Sequence, residues 1–152
     1  MATDYSDMIL EEKLDEAKLL VERAKLWLFA DSFQPSCVSI RASVKRPLWR
    51  VLFFRYRTGT LLSPRRKSVM SGWVDGKCRI NLWEPFVLKQ PVWVVASVLT
   101  HELMHVKQWR DKGLWWITTH LGESEKEADS MARTFVTWFF SCLLYTSDAA
   151  DE

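Results

Sequence analysis

His101-Glu102-Leu103-Met104-His105 is the stretch on which the fold turns. A helix carries residues four apart on one face, so both imidazoles aim at a single point and form half of a zinc site. Glu102, one residue on from the first histidine, lies outside that ligand plane but near enough to polarise a metal-bound water. At average usage of His and Glu, a chain of this length contains such a pentapeptide by chance at a rate of roughly a few in a thousand. Two unrelated surface or core histidines are a poor account of it.

Upstream of the pentapeptide, Pro91 suits the first turn of a helix that passes through Trp93, Val94, Val95, Val98, Leu99, His101, His105 and Trp109. It stops at Lys112-Gly113. Apolar residues surround this helix on nearly every side, which predicts a central position in the domain. His101 and Glu102 are then polar groups held inside and in need of partners, which a metal ion supplies. Residues 114–121 form a connector without an assigned conformation, and a last helix begins near Gly122-Glu123-Ser124, with acidic residues where the helix dipole favours them.

At the other end, Leu10, Leu14, Ala17, Val21, Ala24 and Leu28 alternate spacings of four and three, one stripe of an amphipathic helix over residues 7–29. Pro35 and Ser36 break it. Val38-Ser39-Ile40-Arg41 and residues 49–57 are rich in β-branched and aromatic side chains and read as strands. Thr58-Gly59-Thr60 is a turn, residues 61–71 a polar loop, and Asp75-Gly76 a hairpin turn into a third strand over residues 77–82. The fold class is α+β: an N-terminal helix, a small three- to four-stranded and mostly antiparallel sheet, the HExxH helix and a C-terminal ligand helix.

A catalytic zinc takes three protein ligands and keeps one position for water, so a third group must come from another element. Glu123, Glu125, Glu127, Asp129 and His120 are the candidates. Glu125, Ala128, Asp129, Ala132, Phe135, Val136 and Phe139 share one otherwise apolar stripe, so Glu125 faces inward. Glu123 and Glu127 lie about 200° round the helix and are assigned to solvent. Asp129, one turn beyond Glu125, is placed to accept a hydrogen bond from the non-coordinating nitrogen of a ligand histidine. His120 stays open as a ligand in place of Glu125.

The pattern His101-Glu102-x-x-His105 followed by Glu125-Lys126-Glu127-Ala128-Asp129 resembles the HExxH plus ExxxD signature of gluzincin metallopeptidases, with Glu125 standing 20 positions after His105 (105 to 125). It is most similar to small single-domain members, including ImmA/IrrE-type and HtpX-type catalytic cores, and covers about residues 78–139. The resemblance implies one zincin-like domain over residues 1–141, Zn2+ held by His101, His105 and Glu125, and hydrolysis of a peptide or protein substrate with Glu102 as general base. It also implies an extended peptide lying along an edge strand made by Arg79, Ile80, Asn81, Leu82 and Trp83. Such peptidases often place a Tyr or His across the site to stabilise the oxyanion; His120 is the candidate here, since Tyr5 and Tyr56 are the tyrosines outside the C-terminal stretch.

With 152 residues, 48% hydrophobic and 26% charged, the chain can build a core, which excludes disorder for most of it. The acidic start, Met1-Ala2-Thr3-Asp4-Tyr5-Ser6-Asp7, lacks the pattern of a secretion signal, and the expected location is cytoplasmic. Cys37 and Cys78 sit in no CxxC and read as small buried apolar residues. Residues 142–152 resemble the conceptual translation of a transposon-end sequencing adapter, so native sequence is expected to end near Ser141. Residues 134–140 are apolar but far short of the ~20 residues that span a bilayer, and are expected to form a core helix.

Between Ser32 and Val74 stand Arg41, Lys45, Arg46, Arg50, Arg55, Arg57, Arg65, Arg66 and Lys67 without an acidic residue, a local excess that the net charge of +2 conceals. Alternating with Trp49, Phe53, Phe54 and Tyr56, they suit phosphate contact and base stacking, or equally a solvated sheet face beside the acidic first helix. The alternative function is thus a non-catalytic zinc-stabilised interaction or nucleic-acid-binding domain using residues 41–67.

Overall fold

The computed structural model describes residues 2–29, 38–43, 71–74 and 79–150. Its elements in order are α1 (Ala2–Leu28), β1 (Ser39–Ser43), β2 (Gly72–Val74), β3 (Arg79–Trp83), α2 (Glu84–Lys89), α3 (Val92–Lys112), α4 (Leu114–Thr119) and α5 (Leu121–Ala150). The expected strand over 49–57, the turns at 58–60 and 75–76, most of the polar loop, Cys37 and Cys78 lie outside the described residues.

The α1 stripe behaves as its spacing requires: Leu10, Leu14, Ala17, Val21, Ala24 and Leu28 are all buried. They enter one core with Leu99, Leu103 and Val106 of α3, Ala128 and Phe135 of α5, and Ile80 and Leu82 of β3. Helix α3 contacts α1, α5, β2 and β3, which is the central position its apolar surround predicts. It starts after Pro91, whose carbonyl accepts from Val94 and Val95 N–H, and ends at Gly113 with φ of 87°, a left-handed conformation in which a Cβ would be strained.

Among the described residues the sheet has three strands in the order β1-β3-β2. Strands β2 and β3 pair antiparallel, with Gly72 opposite Leu82, whereas β1 and β3 pair parallel, with Ile40 opposite Ile80. The sheet is therefore mixed rather than mostly antiparallel, since β1 and β3 run the same way and the chain must cross over between them. Ile80 and Leu82 point to the helices; Asn81, on the other face, is also buried and accepts a 2.7 Å hydrogen bond from Arg41 Nε.

The short helix α2 has Pro85 in its first turn, stops before Pro91 and is held at its end from a distance. Lys13 Nζ of α1 donates to the carbonyls of Val87, Leu88 and Gln90 at 2.8–3.0 Å, satisfying groups that a helix end leaves orphaned and placing a cation at its negative pole. Residues 134–140 belong to α5: Phe135 is fully buried and Phe139 stacks on Trp93. No helix among the described residues is long and apolar enough to cross a membrane.

Candidate metal centre

Burial of Leu99 and Leu103 fixes the rotation of α3, and the face that carries His101 and His105 is met by α5. Alongside, Ala128 and Phe135 dock α5 and bring Glu125 to the same point. His101 Nε2 lies 3.2 Å from His105 Nε2, Glu125 Oε2 lies 3.3 Å from His101 Nε2, and Glu125 Oε1 lies 2.9 Å from His105 Nε2. Two atoms each about 2.0–2.2 Å from a tetrahedral zinc stand roughly 3.3–3.6 Å apart, so the two Nε2 atoms are close to that separation while the Glu125 carboxylate turns a different oxygen to each ring, one of them nearer than that edge. Among the described residues, His101, His105 and Glu125 are the group that could hold a metal ion.

Behind each ligand nitrogen the other ring nitrogen is engaged. His101 Nδ1 lies 3.0 Å from Asp129 Oδ1, the carboxylate one turn beyond Glu125. His105 Nδ1 faces Gln108 Oε1 at 3.0 Å and Ser124 Oγ at 3.1 Å. With an ion held at the centre, an acceptor behind the ring would hold the Nδ1 proton and leave the Nε2 lone pair for that ion. Asp129 does this while 56% exposed, from the rim of the site.

Burial alone pushes the His101 imidazolium toward deprotonation. The hydrogen bond to Glu125 and the charges of Glu102, Glu125 and Asp129 outweigh it and hold the His101 pKa above the ordinary imidazole value. The surrounding carboxylates thus favour positive charge at His101.

Glu102 is buried on the sheet side of α3. A Cβ on Gly72 would stand 3.4 Å from Glu102 Cγ, so β2 runs against the general-base candidate and approaches it closely because position 72 has no side chain. The expectation of a substrate edge at Arg79, Ile80, Asn81, Leu82 and Trp83 is corrected by the sheet order. Strand β3 is central, with both of its edges paired to β1 and β2, and offers no free ladder. Among the described residues β2 is the edge strand that lies beside Glu102.

His120 is not brought into the group of three. Its exposed ring stacks on Trp116 at 5.0 Å, with Nδ1 near the Trp116 carbonyl and Thr119 Oγ1. Glu127, assigned to solvent from its helical phase, is half-buried and accepts from Gln108 Nε2 at 3.3 Å. Gln108 and Ser124 escaped the sequence reading. The available signal was Gln108 standing three residues after His105, hence on the same helix face, and Ser124 adjoining Glu125. Of the basic segment only Arg41 lies among the described residues; Lys45, Arg46, Arg50, Arg55, Arg57, Arg65, Arg66, Lys67 and the interleaved Trp49, Phe53, Phe54 and Tyr56 lie outside them. Comparison of the chain with protein families, with curated proteins and with solved structures returns no match.

Proposed function

We propose that this chain is a gluzincin-like, zinc-dependent peptidase. The observation that carries the reading is the mutual spacing of His101 Nε2, His105 Nε2 and the Glu125 carboxylate at 2.9–3.3 Å, with an acceptor behind each imidazole. Bound zinc supplies Lewis acidity, which makes a water acidic enough to lose a proton near neutral pH and polarises a substrate carbonyl.

The chain's own residues supply the rest. His101, His105 and Glu125 hold the ion, with Asp129 fixing the His101 ring and Gln108 and Ser124 contacting His105. Glu102 takes the proton from the water that attacks the peptide carbonyl and returns it to the amine nitrogen as the carbon–nitrogen bond breaks, so the carboxylate ends as it began. Its burial keeps that proton from bulk solvent between the two transfers.

The test is zinc content of the purified chain together with hydrolysis of a generic unfolded protein, with and without a chelator. Wild type is expected to hold one zinc and lose turnover to the chelator. Glu102→Gln is expected to hold zinc without turnover, and Glu125→Ala to lose zinc. Turnover by Glu102→Gln removes Glu102 from its role; zinc retained by Glu125→Ala and lost by His120→Ala moves the third ligand to His120.

A further inference from the structure

Between the two helices that carry the ligands, Gly113-Leu114-Trp115-Trp116-Ile117-Thr118-Thr119-His120-Leu121-Gly122 runs without an Asp, Glu, Lys or Arg. A run of this kind is expected in a core, yet α4, which it forms, has no buried residue. Trp115 is 79% exposed, Leu114 half exposed, and Thr118 and Thr119 are exposed beside them. Residues four apart share a helix face, so Leu114 with Thr118 and Trp115 with Thr119 make up the outward side of α4. Its hydroxyls are spent on the helix itself: Thr118 Oγ1 donates to the Leu114 carbonyl at 2.8 Å and Thr119 Oγ1 to the Trp115 carbonyl at 2.9 Å. The face thus presents a large indole and a leucine to its surroundings, with no charge among them and its threonine hydroxyls already bonded.

At the base of α4, the end of α3 carries Lys107, Arg110 and Lys112 against one carboxylate, Asp111, which meets Lys107 at 2.9 Å and Arg110 at 3.1 Å. Lys112 Nζ stands 4.0 Å over the Trp116 ring and 3.8 Å from Glu127 Oε2. Acidic residues resume at Glu123, on the α5 side, so the excess of positive charge is confined to the α3 side. An apolar tip with cations at its base is the layout of an element that lies in a lipid–water interface, where Trp and Leu reach the acyl boundary and Lys and Arg stay with the phosphates. A second protein fits less well. The exposed parts of Leu114 and Trp115 amount to roughly 300 Å², against the ~800 Å² that each partner buries in a standard protein complex. We propose that α4 is a membrane-docking element, with Trp115 and Leu114 entering the surface of a phospholipid bilayer and Arg110 and Lys112 on its phosphates. Eight residues of helix and cap separate His105 from Gly113, so the metal centre lies about 12 Å along α3 from the docked tip. That such docking presents membrane-held segments to the centre rests on the peptidase reading; the docking itself does not.

The experiment is flotation of the full-length protein with vesicles of phosphatidylcholine alone and of phosphatidylcholine with phosphatidylserine in a two-to-one ratio, at low and high salt. Wild type is expected to float best with the mixed vesicles and less at high salt. Trp115→Ser is expected to lower partitioning by at least about 10-fold, and Leu114→Ser by less. The double variant Arg110→Gln/Lys112→Gln is expected to lose roughly 5-fold per cation on the mixed vesicles and to match wild type on phosphatidylcholine. Trp27→Ser, at an exposed position on α1, controls for general stickiness and should float as wild type does. No flotation with mixed vesicles at low salt, flotation unchanged by Trp115→Ser, or an equal loss from Trp27→Ser overturns the proposal. So does self-association in sedimentation that Trp115→Ser abolishes in a protein that never floats, which would make α4 a contact between copies. Should Trp115→Ser fail to fold, Leu114→Ser and the double variant decide. Protein that floats as expected but holds no zinc and hydrolyses nothing sinks the peptidase reading and spares the docking. Zinc-dependent hydrolysis by a protein that does not float does the reverse.

Discussion

Gly72→Ala tests how closely the sheet is set against Glu102. The new methyl would lie 2.8 Å from Leu82 Cδ2 and 3.4 Å from both the Asn81 carbonyl oxygen and Glu102 Cγ. Carbon atoms prefer about 3.5–4.0 Å, so Leu82 must yield by roughly 0.7–1.2 Å, and it is fully buried in the core. Overpacking of this kind costs about 1–3 kcal/mol, and the reduced freedom of the unfolded chain returns ~0.4–1, so the net loss expected is about 1–2 kcal/mol. Glu102 needs to give only a few tenths of an ångström. Since a misplacement of ~1 Å at a reacting group can cost about 100-fold, turnover is expected to fall roughly 10-fold. Zinc affinity should hold, because the methyl meets Leu82, Asn81 and Glu102 and none of the three ligands. Urea unfolding, zinc titration and hydrolysis measured on one preparation separate these effects. A Gly72→Ala protein with wild-type stability and turnover would mean that β2 stands back from Glu102, and loss of zinc with full turnover per bound ion would reverse the assignment.

Three further outcomes follow from the same geometry. Zinc affinity should weaken as pH falls, beginning above the ordinary imidazole range, because a proton held by His101 competes with the ion. In the metal-free protein the protonated His101 contributes stability that is full below its unfolded pKa and is lost as pH rises through its raised folded pKa; pH-dependent zinc titration and unfolding with opposite slopes check both statements, and flat profiles contradict them. Asp129→Ala, which removes the acceptor behind His101, should lower zinc affinity about 10–100-fold by chelator competition, and an unchanged affinity would make that contact incidental. Phe135→Ala, at a fully buried position that docks α5, should cost about 3–5 kcal/mol in urea unfolding, and a loss below ~1 would show that α5 is anchored elsewhere.

Helical features were legible in the sequence because helix periodicity is local. The α1 stripe, the span of α3 with its glycine stop and the inward phase of Glu125 all follow from spacing. Asp129 was readable too, since a carboxylate one turn past a ligand on the same stripe has few other places to reach. What escaped depends on partners distant in the chain. Sheet order is set by a crossover that no local pattern encodes, so β3 passed for an edge strand when it is central. The end carbonyls of helix α2 are met by Lys13, some 74–77 residues away. Gln108 and Glu127 looked like ordinary polar helix positions, and only the approach of α3 to α5 makes them one network with His105.

The most direct test of the account is X-ray absorption at the zinc edge on the full-length protein loaded with one equivalent of zinc. The account predicts a shell of nitrogen and oxygen at about 2.0–2.2 Å with the outer scattering of two imidazoles, reduced in ligand number by Glu125→Ala. A sulfur shell near ~2.3 Å, a single imidazole, or zinc left in its aqueous form would contradict it.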